Sequence, residues 1–293
     1  MTKIDFETGS STIDNFLYWI NERHRIYLKR FKFCQPKPWS DDPIFQQWKF
    51  TNVFRQLDKG TIALHDALRH ETSIPKIIFN VWWYRLFNRQ EHIENLGPIE
   101  IDEFEKLESY MKKRKEHGYK IFTSAHMTTG VLGEEKINTY LRAAKQASED
   151  CCKVAKVCTE GSMEKVFEEL LKYYMIGRFV AYEIVCDLRF TVALQPSDHL
   201  TWVNIGPGAK RGLLRLGLPH TRGEMSSLIK LYSIVKDKSM DYIRKHFLSN
   251  RQMSRIIYPP FELREIEHSL CEFDKYERIR LGQGRPKQKY KGY

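Results

Sequence analysis

The segment Asn204-Ile205-Gly206-Pro207-Gly208-Ala209-Lys210-Arg211-Gly212-Leu213 combines glycines with two adjacent cations. Glycine lets a backbone approach a ligand closely, and a helix that opens here presents amide donors to an anion. Lys210 and Arg211 add fixed positive charge. The pattern GxxxxGK[ST] is absent, so a nucleotide cradle is not indicated. A nucleic-acid backbone suits the anion better. Upstream, residues 166–188 read as two helices broken at Met175-Ile176-Gly177-Arg178-Phe179. Such a helix–hairpin–helix binds DNA without sequence preference, because hairpin amides and the next helix start face consecutive phosphates. Gly177 is expected to supply the unusual backbone, with Arg178 beside it. The common hairpin has two glycines separated by one residue, and Met175 replaces the first. An ordinary αα-hairpin is the competing reading.

Other polar groups recur at telling intervals. Glu267, Cys271 and Asp274 are four and three residues apart, and His268 with Glu272 makes an adjacent stripe. On a helix these stripes either line a site or are solvated. Asn52, Arg55 and Asp58 share a spacing of three and are expected on one helical face, as a salt-bridged network or a pocket wall. Asp42 precedes Pro43 and can cap a helix. Trp39 and Trp202 read as core or hinge aromatics, or as base platforms. Asp187 is expected to pair with Arg189 or to cap structure. His268 as a metal ligand has no clear partner set.

The elements that must position these groups are helical nearly throughout. Residues 12–31 carry apolar positions at helical spacing, after a capping-box pattern at Ser11. Helical pattern resumes over 44–57 and 61–69, and again from Pro75. Residues 101–117 form a strongly charged helix that Gly118 ends. Residues 119–129 hold a short strand or loop. Helices follow over 133–158 and 222–248, and a last one runs from Pro259-Pro260 to about Leu281. The fold class is mainly α, with two helical lobes at 1–130 and 131–283 and a basic tail at 284–293.

The chain has 293 residues, and 48 Lys and Arg against 37 Asp and Glu leave a net charge of +11. That balance favours a polyanionic partner. Arg285 and the tail lysines extend it. The 6 cysteines lack CxxC pairs or iron–sulfur spacing and read as reduced thiols. Residues 1–15 lack a signal-peptide pattern, and no apolar run reaches membrane-span length. The expected location is cytoplasmic, or nuclear in a eukaryote, with no membrane partner.

The helix–hairpin–helix region resembles the helix–hairpin–helix DNA glycosylase superfamily. Those enzymes place an acidic residue between the second helix and the next helix start. Asp198 is the nearest candidate, while Asn204 stands closer to the expected position. Three longer motifs are Glu22-Arg23-His24-Arg25-Ile26-Tyr27-Leu28-Lys29-Arg30, the stretch from Pro36 through Ile44 continued by Lys49 through Asp58, and Glu267 through Arg278 followed by Gly282-Gln283-Gly284-Arg285-Pro286. With Asp187-Leu188-Arg189 and Gly206-Pro207-Gly208, they resemble the phage-type thymine hypermodification proteins. These comprise the alpha-glutamyl/putrescinyl thymine pyrophosphorylases and the helical domain attached to 5-hydroxymethyluracil DNA kinases. The resemblance covers about residues 12–286.

It implies a reaction on double-stranded DNA in which an amine displaces pyrophosphate from 5-(pyrophosphoryloxymethyl)uracil, after a companion DNA kinase has installed it. The amine donor would be an amino acid or polyamine. The leaving phosphates need cations or donors, for which Arg55, Lys210, Arg211, Lys275 and Arg278 are candidates. The incoming ammonium needs a base, which Asp198, Glu272 or Asp274 can supply. Asp42, Asn52 and Asn204 join the substrate-binding set, and Trp39 or Trp202 would stack on a flipped base or fill its gap. Gly177, Arg178, Gly206, Gly208, Lys210, Arg211 and Arg285 make the DNA-binding set. No motif demands a cofactor, and a divalent cation assisting pyrophosphate release stays open. Two other functions compete: a glycosylase acting on modified bases, and a non-catalytic DNA-binding partner of the kinase.

Overall fold

The computed structural model describes residues 12–123, 130–247, 260–284 and 289. Arg285, Ser11, Pro259 and most of the basic tail lie outside these residues. The helices are α1 (Thr12–Tyr27), α2 (Pro43–Gln47), α3 (Lys59–Leu68), α4 (Ile74–Phe87), α5 (Gln90–Leu96), α6 (Phe104–Glu116), α7 (Lys136–Cys158), α8 (Met163–Leu170), α9 (Arg178–Leu188), α10 (Pro207–Arg215), α11 (Glu224–Phe247) and α12 (Leu263–Arg280). Among the described residues the only strand-type pairing is an antiparallel bridge between Trp48 and Lys289. The protein is mainly α-helical.

Two compact units divide the chain. A terminal unit takes residues 1–55 and 205–293, and a central unit takes 56–204. This differs from serial lobes meeting at residue 130. Helical periodicity says which face of a helix is apolar and is silent on which helix covers it. In the terminal unit α1 buries Phe16, Trp19 and Ile20. Phe16 meets Phe273 of α12 edge-on at 5.2 Å, so the two ends of the chain build one core.

The central unit is organised on α4. Pro75 sits in the first turn of α4, and Asn88, at φ 54, ends the helix in the left-handed conformation. Residues 77–87 are all buried, so α4 is enclosed on every side, with α3, α7 and α9 packed on it. Burying Arg85 there requires compensation. Asp187 of α9 supplies it, accepting from Arg85 Nε and, at 2.8 Å, from Nη2. Thr61 Oγ1 accepts from the same guanidinium at 3.1 Å. Asp187 therefore pairs with Arg85, and not with Arg189 as its sequence neighbourhood suggested. Burial opposes its ionisation, yet Arg85 outweighs this and holds the carboxyl well below the usual range.

Two local expectations change. Residues 44–57 are not one helix: α2 stops at Gln47, and Trp48 is extended at φ −113 and ψ 145. Trp48, Phe50, Val53 and Phe54 are all buried, a density of apolar side chains that one helix face cannot hide. Asn52 consequently lies off any helix, and Asp58 lies in the other unit at the start of α3. Residues 119–123 carry no regular element, and 124–129 lie outside the described residues.

Candidate functional site

α12 is the element that gathers polar chemistry in the terminal unit. Glu262 opens it, its backbone amide donating to Glu265 Oε2 at 3.0 Å. Its two polar stripes are both in use, and neither is a simple solvated face.

The first stripe faces α10. Glu267 Oε1 accepts from the Gly206 amide at 3.0 Å. Gly208 lies so close to α12 that a Cβ there would sit 2.2 Å from Cys271 Sγ, and a Cβ on Gly212 would sit 2.5 Å from the Leu270 carbonyl oxygen. These glycines permit close helix contact, a packing reason for glycine at 208 and 212 that is independent of any phosphate. The start of α10 already has its anion in Glu267. Asp274 is wholly buried and accepts from Arg211 Nε at 2.9 Å and Arg215 Nε at 2.7 Å, with Arg278 Nε at 3.3 Å. Burial alone would raise its pKa. The two hydrogen-bonding arginines prevail and hold it below the usual carboxylate value. A carboxylate stabilised this way is a weak proton acceptor, which removes Asp274 as a base and makes Arg211 and Arg278 its partners. Lys210 likewise pairs with Glu224 at 2.9 Å. Against Gly208, the Cys271 thiol is pushed up to about 12, by burial first and then by Glu267 and Glu272. It is therefore no ready nucleophile, although the edge of the residue is exposed.

On the second stripe, Arg264, His268, Glu272 and Lys275, the last three meet the irregular segment 50–52. Glu272 Oε2 accepts from the Thr51 amide at 3.0 Å and from Lys275 Nζ at 3.0 Å. Thr51 Oγ1 hydrogen-bonds His268 Nε2 at 2.5 Å. Arg23 of α1 donates to Asn52 Oδ1 at 2.5 Å and to the Phe50 carbonyl at 3.2 Å. Lys275 Nζ lies 4.7 Å from the Phe50 ring centroid. Burial of the ring, followed by the fields of Arg55, Arg264, Lys275 and Arg23, drives His268 well below its ordinary pKa. The result is a neutral imidazole beside Glu272, with Arg23, Arg55, Arg264 and Lys275 near enough to oppose its protonation. Sequence reasoning selected Asn52, Arg55, Glu272 and Lys275 here and missed Thr51, Arg23 and Arg264. Arg264 was readable, since it stands four residues before His268 on the same stripe. Thr51 and Arg23 had no periodic signal.

Asp42 caps α2, accepting from the Ile44 amide at 2.8 Å, and also accepts from Tyr276 at 2.7 Å and Tyr18 at 3.2 Å. It ties α1, α2 and α12 together and is saturated by that work. Trp39 is half-exposed, its Nε1 donating to the Gln35 carbonyl at 2.7 Å.

The remaining candidates belong to the central unit. Asp198 accepts from Ser162 Oγ at 2.8 Å, Met163 N at 2.9 Å and Glu164 N at 3.1 Å. These bonds satisfy the first turn of α8, so Asp198 is a capping residue and not a free base. Trp202 packs on Phe167 at 5.3 Å and Tyr182 at 6.0 Å and is partly buried. Buried Asn204 accepts from Arg178 Nη2 at 2.8 Å. Gly177 has an ordinary φ of −82 and caps α9 without a side-chain bond. The left-handed residue of the hairpin is Met175, at φ 60. Among the described residues no helix is long and apolar enough to cross a membrane, and no three His, Cys, Asp or Glu gather to hold a metal ion.

The chain belongs to the family described as the helical domain of 5-hmdU DNA kinase, whose model matches residues 10–285. The 5-hmdU DNA kinase of Bacillus phage SP10 is 27% identical over 296 residues, covering 93% of this chain and 46% of the phage protein. This chain thus spans about half the length of that relative. No solved structure matches.

Proposed function

We propose that this protein acts on DNA in thymine hypermodification, replacing the pyrophosphate of 5-(pyrophosphoryloxymethyl)uracil with an amine. The observation that carries the reading is the arrangement of Arg23, Arg55, Arg264 and Lys275 about His268 and Glu272. The carbon–oxygen bond to pyrophosphate breaks, and its electron pair leaves with the phosphate. The four cations neutralise that charge as it develops. The amine nitrogen forms the new bond to the methylene carbon. Its surplus proton passes to Glu272. The same positive field disfavours a protonated amine and so favours the nucleophilic form.

DNA would be held in part by α8, its following turn and α9, read as a helix–hairpin–helix on a glycosylase-like scaffold. The start of α9 at Gly177 has no side-chain cap. A companion DNA kinase would supply the activated base, in the cytoplasm of a phage-infected host, and an amino acid or polyamine would be the donor. A glycosylase reaction is less well supported. It needs a carboxylate at the flipped sugar, whereas Asp198 is consumed as a cap and Asp187 by Arg85.

The test is amine-dependent pyrophosphate release from DNA carrying the activated base. Arg55→Ala and Lys275→Ala should each lower the rate about 100-fold, in the range of a lost transition-state donor, with DNA affinity changed far less. Unchanged release by both variants would place the leaving-group site elsewhere.

A further inference from the structure

Residues 28–40 contain Lys29, Arg30, Lys32 and Lys37, interleaved with Phe31, Phe33 and Trp39, and no aspartate or glutamate. The backbone is irregular throughout this stretch. α1 runs into a π-helical turn over Leu28–Lys32, a rare form that is frequent at functional sites. Cys34 then takes φ 48. This geometry carries Phe31 outward, and it is 41% exposed. The Arg30 guanidinium lies 4.6 Å from the Phe31 centroid and 5.1 Å from that of Trp39. Lys37 Nζ is 5.3 Å from Trp39, and the Tyr27 ring is 5.3 Å from Phe31. Burial and then the neighbouring Arg25 push the Lys29 ammonium below its ordinary pKa, against the opposing pull of Glu22 and Asp41.

Exposed rings next to cations do not help a core. They match what an unpaired nucleic-acid strand requires, with aromatic faces for bases and ammonium groups for phosphates. Paired bases inside a duplex offer no free face, so the rings select unstacked nucleotides. We infer that residues 29–39 form a platform for an unpaired stretch of DNA, with bases stacked on Phe31 and Trp39 and phosphates met by Lys29, Lys32 and Lys37. The inference rests on the reading above that DNA is the substrate. It adds that the strand around the reacting base is held open on the terminal unit.

Binding of the full chain to a fluorescein-labelled oligodeoxythymidylate and to an abasic strand of equal length tests this. Phe31→Ala and Trp39→Ala should each weaken the base-bearing complex roughly 5- to 100-fold and leave the abasic complex unchanged, while Trp39→Phe keeps most of the affinity. Lys32→Ala should weaken both complexes and reduce the salt slope by about 0.7. Melting curves of each variant check the fold, and surface-exposed Phe31→Ala carries the test should Trp39→Ala melt early. Equal effects on both strands, or none, would overturn the platform while leaving amine-dependent product formation by the unaltered protein intact. Failure of the unaltered protein to bind either strand would overturn the DNA reading together with the platform.

Discussion

His24, His92 and His268 are imidazoles that the fold keeps neutral. Burial and then Arg23 lower His24 to about 3. Burial lowers His92 to about 4, partly offset by its bond to the Ile121 carbonyl. His268 is lowered in the same direction. Between these values and the unfolded pKa of about 6.5, the unfolded chain binds more protons than the native one. Stability therefore rises with pH across that window and is lost on acidification, by about 1.4 kcal/mol per pH unit for each histidine. Asp274 acts in the same sense, because its depressed pKa contributes stability that is lost as pH falls through the carboxylate range. Melting temperatures from pH 7 to 4 should fall, and His24→Leu should reduce the slope; a flat profile would contradict the buried-neutral assignment. Asp198→Ala should cost about 1–2 kcal/mol through loss of the α8 cap, measured by denaturant titration, while retaining pyrophosphate release. At this scale the sequence showed residue types and stripe spacings, which was enough to put Glu272 and Lys275 on one helix. It could not show that Asp42, Asp198 and Asp274 spend their oxygens on internal donors, because those partners come from distant positions.

Among elements, the α10–α12 contact is the most exacting. Gly212 meets the α12 backbone itself, which cannot move aside as a side chain can. Gly212→Ala should cost about 1–3 kcal/mol by overpacking and should not be rescued by changing a neighbouring side chain. Gly208→Ala meets the Cys271 sulfur first, so Cys271→Ala should restore part of its loss. Thermal denaturation of the single and double variants reads both effects, and full tolerance of Gly212→Ala would contradict the close approach. The helices themselves were largely legible, since periodicity, Pro75 and Gly118 mark real boundaries. The purpose of the glycine-rich run was not legible. A glycine needed for a phosphate and one needed for a helix leave the same mark in sequence, and only the position of α12 separates them.

At the scale of the whole molecule, the two ends of the chain share one unit, and residues 56–204 make the other. That division was hidden because no linker composition marks residues 55 and 205. The net charge of +11 was visible at once, but Lys210, Arg211 and Arg215 are committed to internal carboxylates. DNA affinity should still fall steeply with salt, by about 0.9 log units per log unit of salt for each phosphate contacted; an affinity insensitive to salt would deny the basic surface a role. The central claim concerns chemistry, and nucleoside mass spectrometry tests it most directly. Duplex DNA carrying 5-(pyrophosphoryloxymethyl)uracil, incubated with the protein and a mixture of amino acids and polyamines and then digested, should yield a new amine-substituted thymidine. Free base with abasic DNA, or an unchanged nucleoside profile, would contradict the amine transfer.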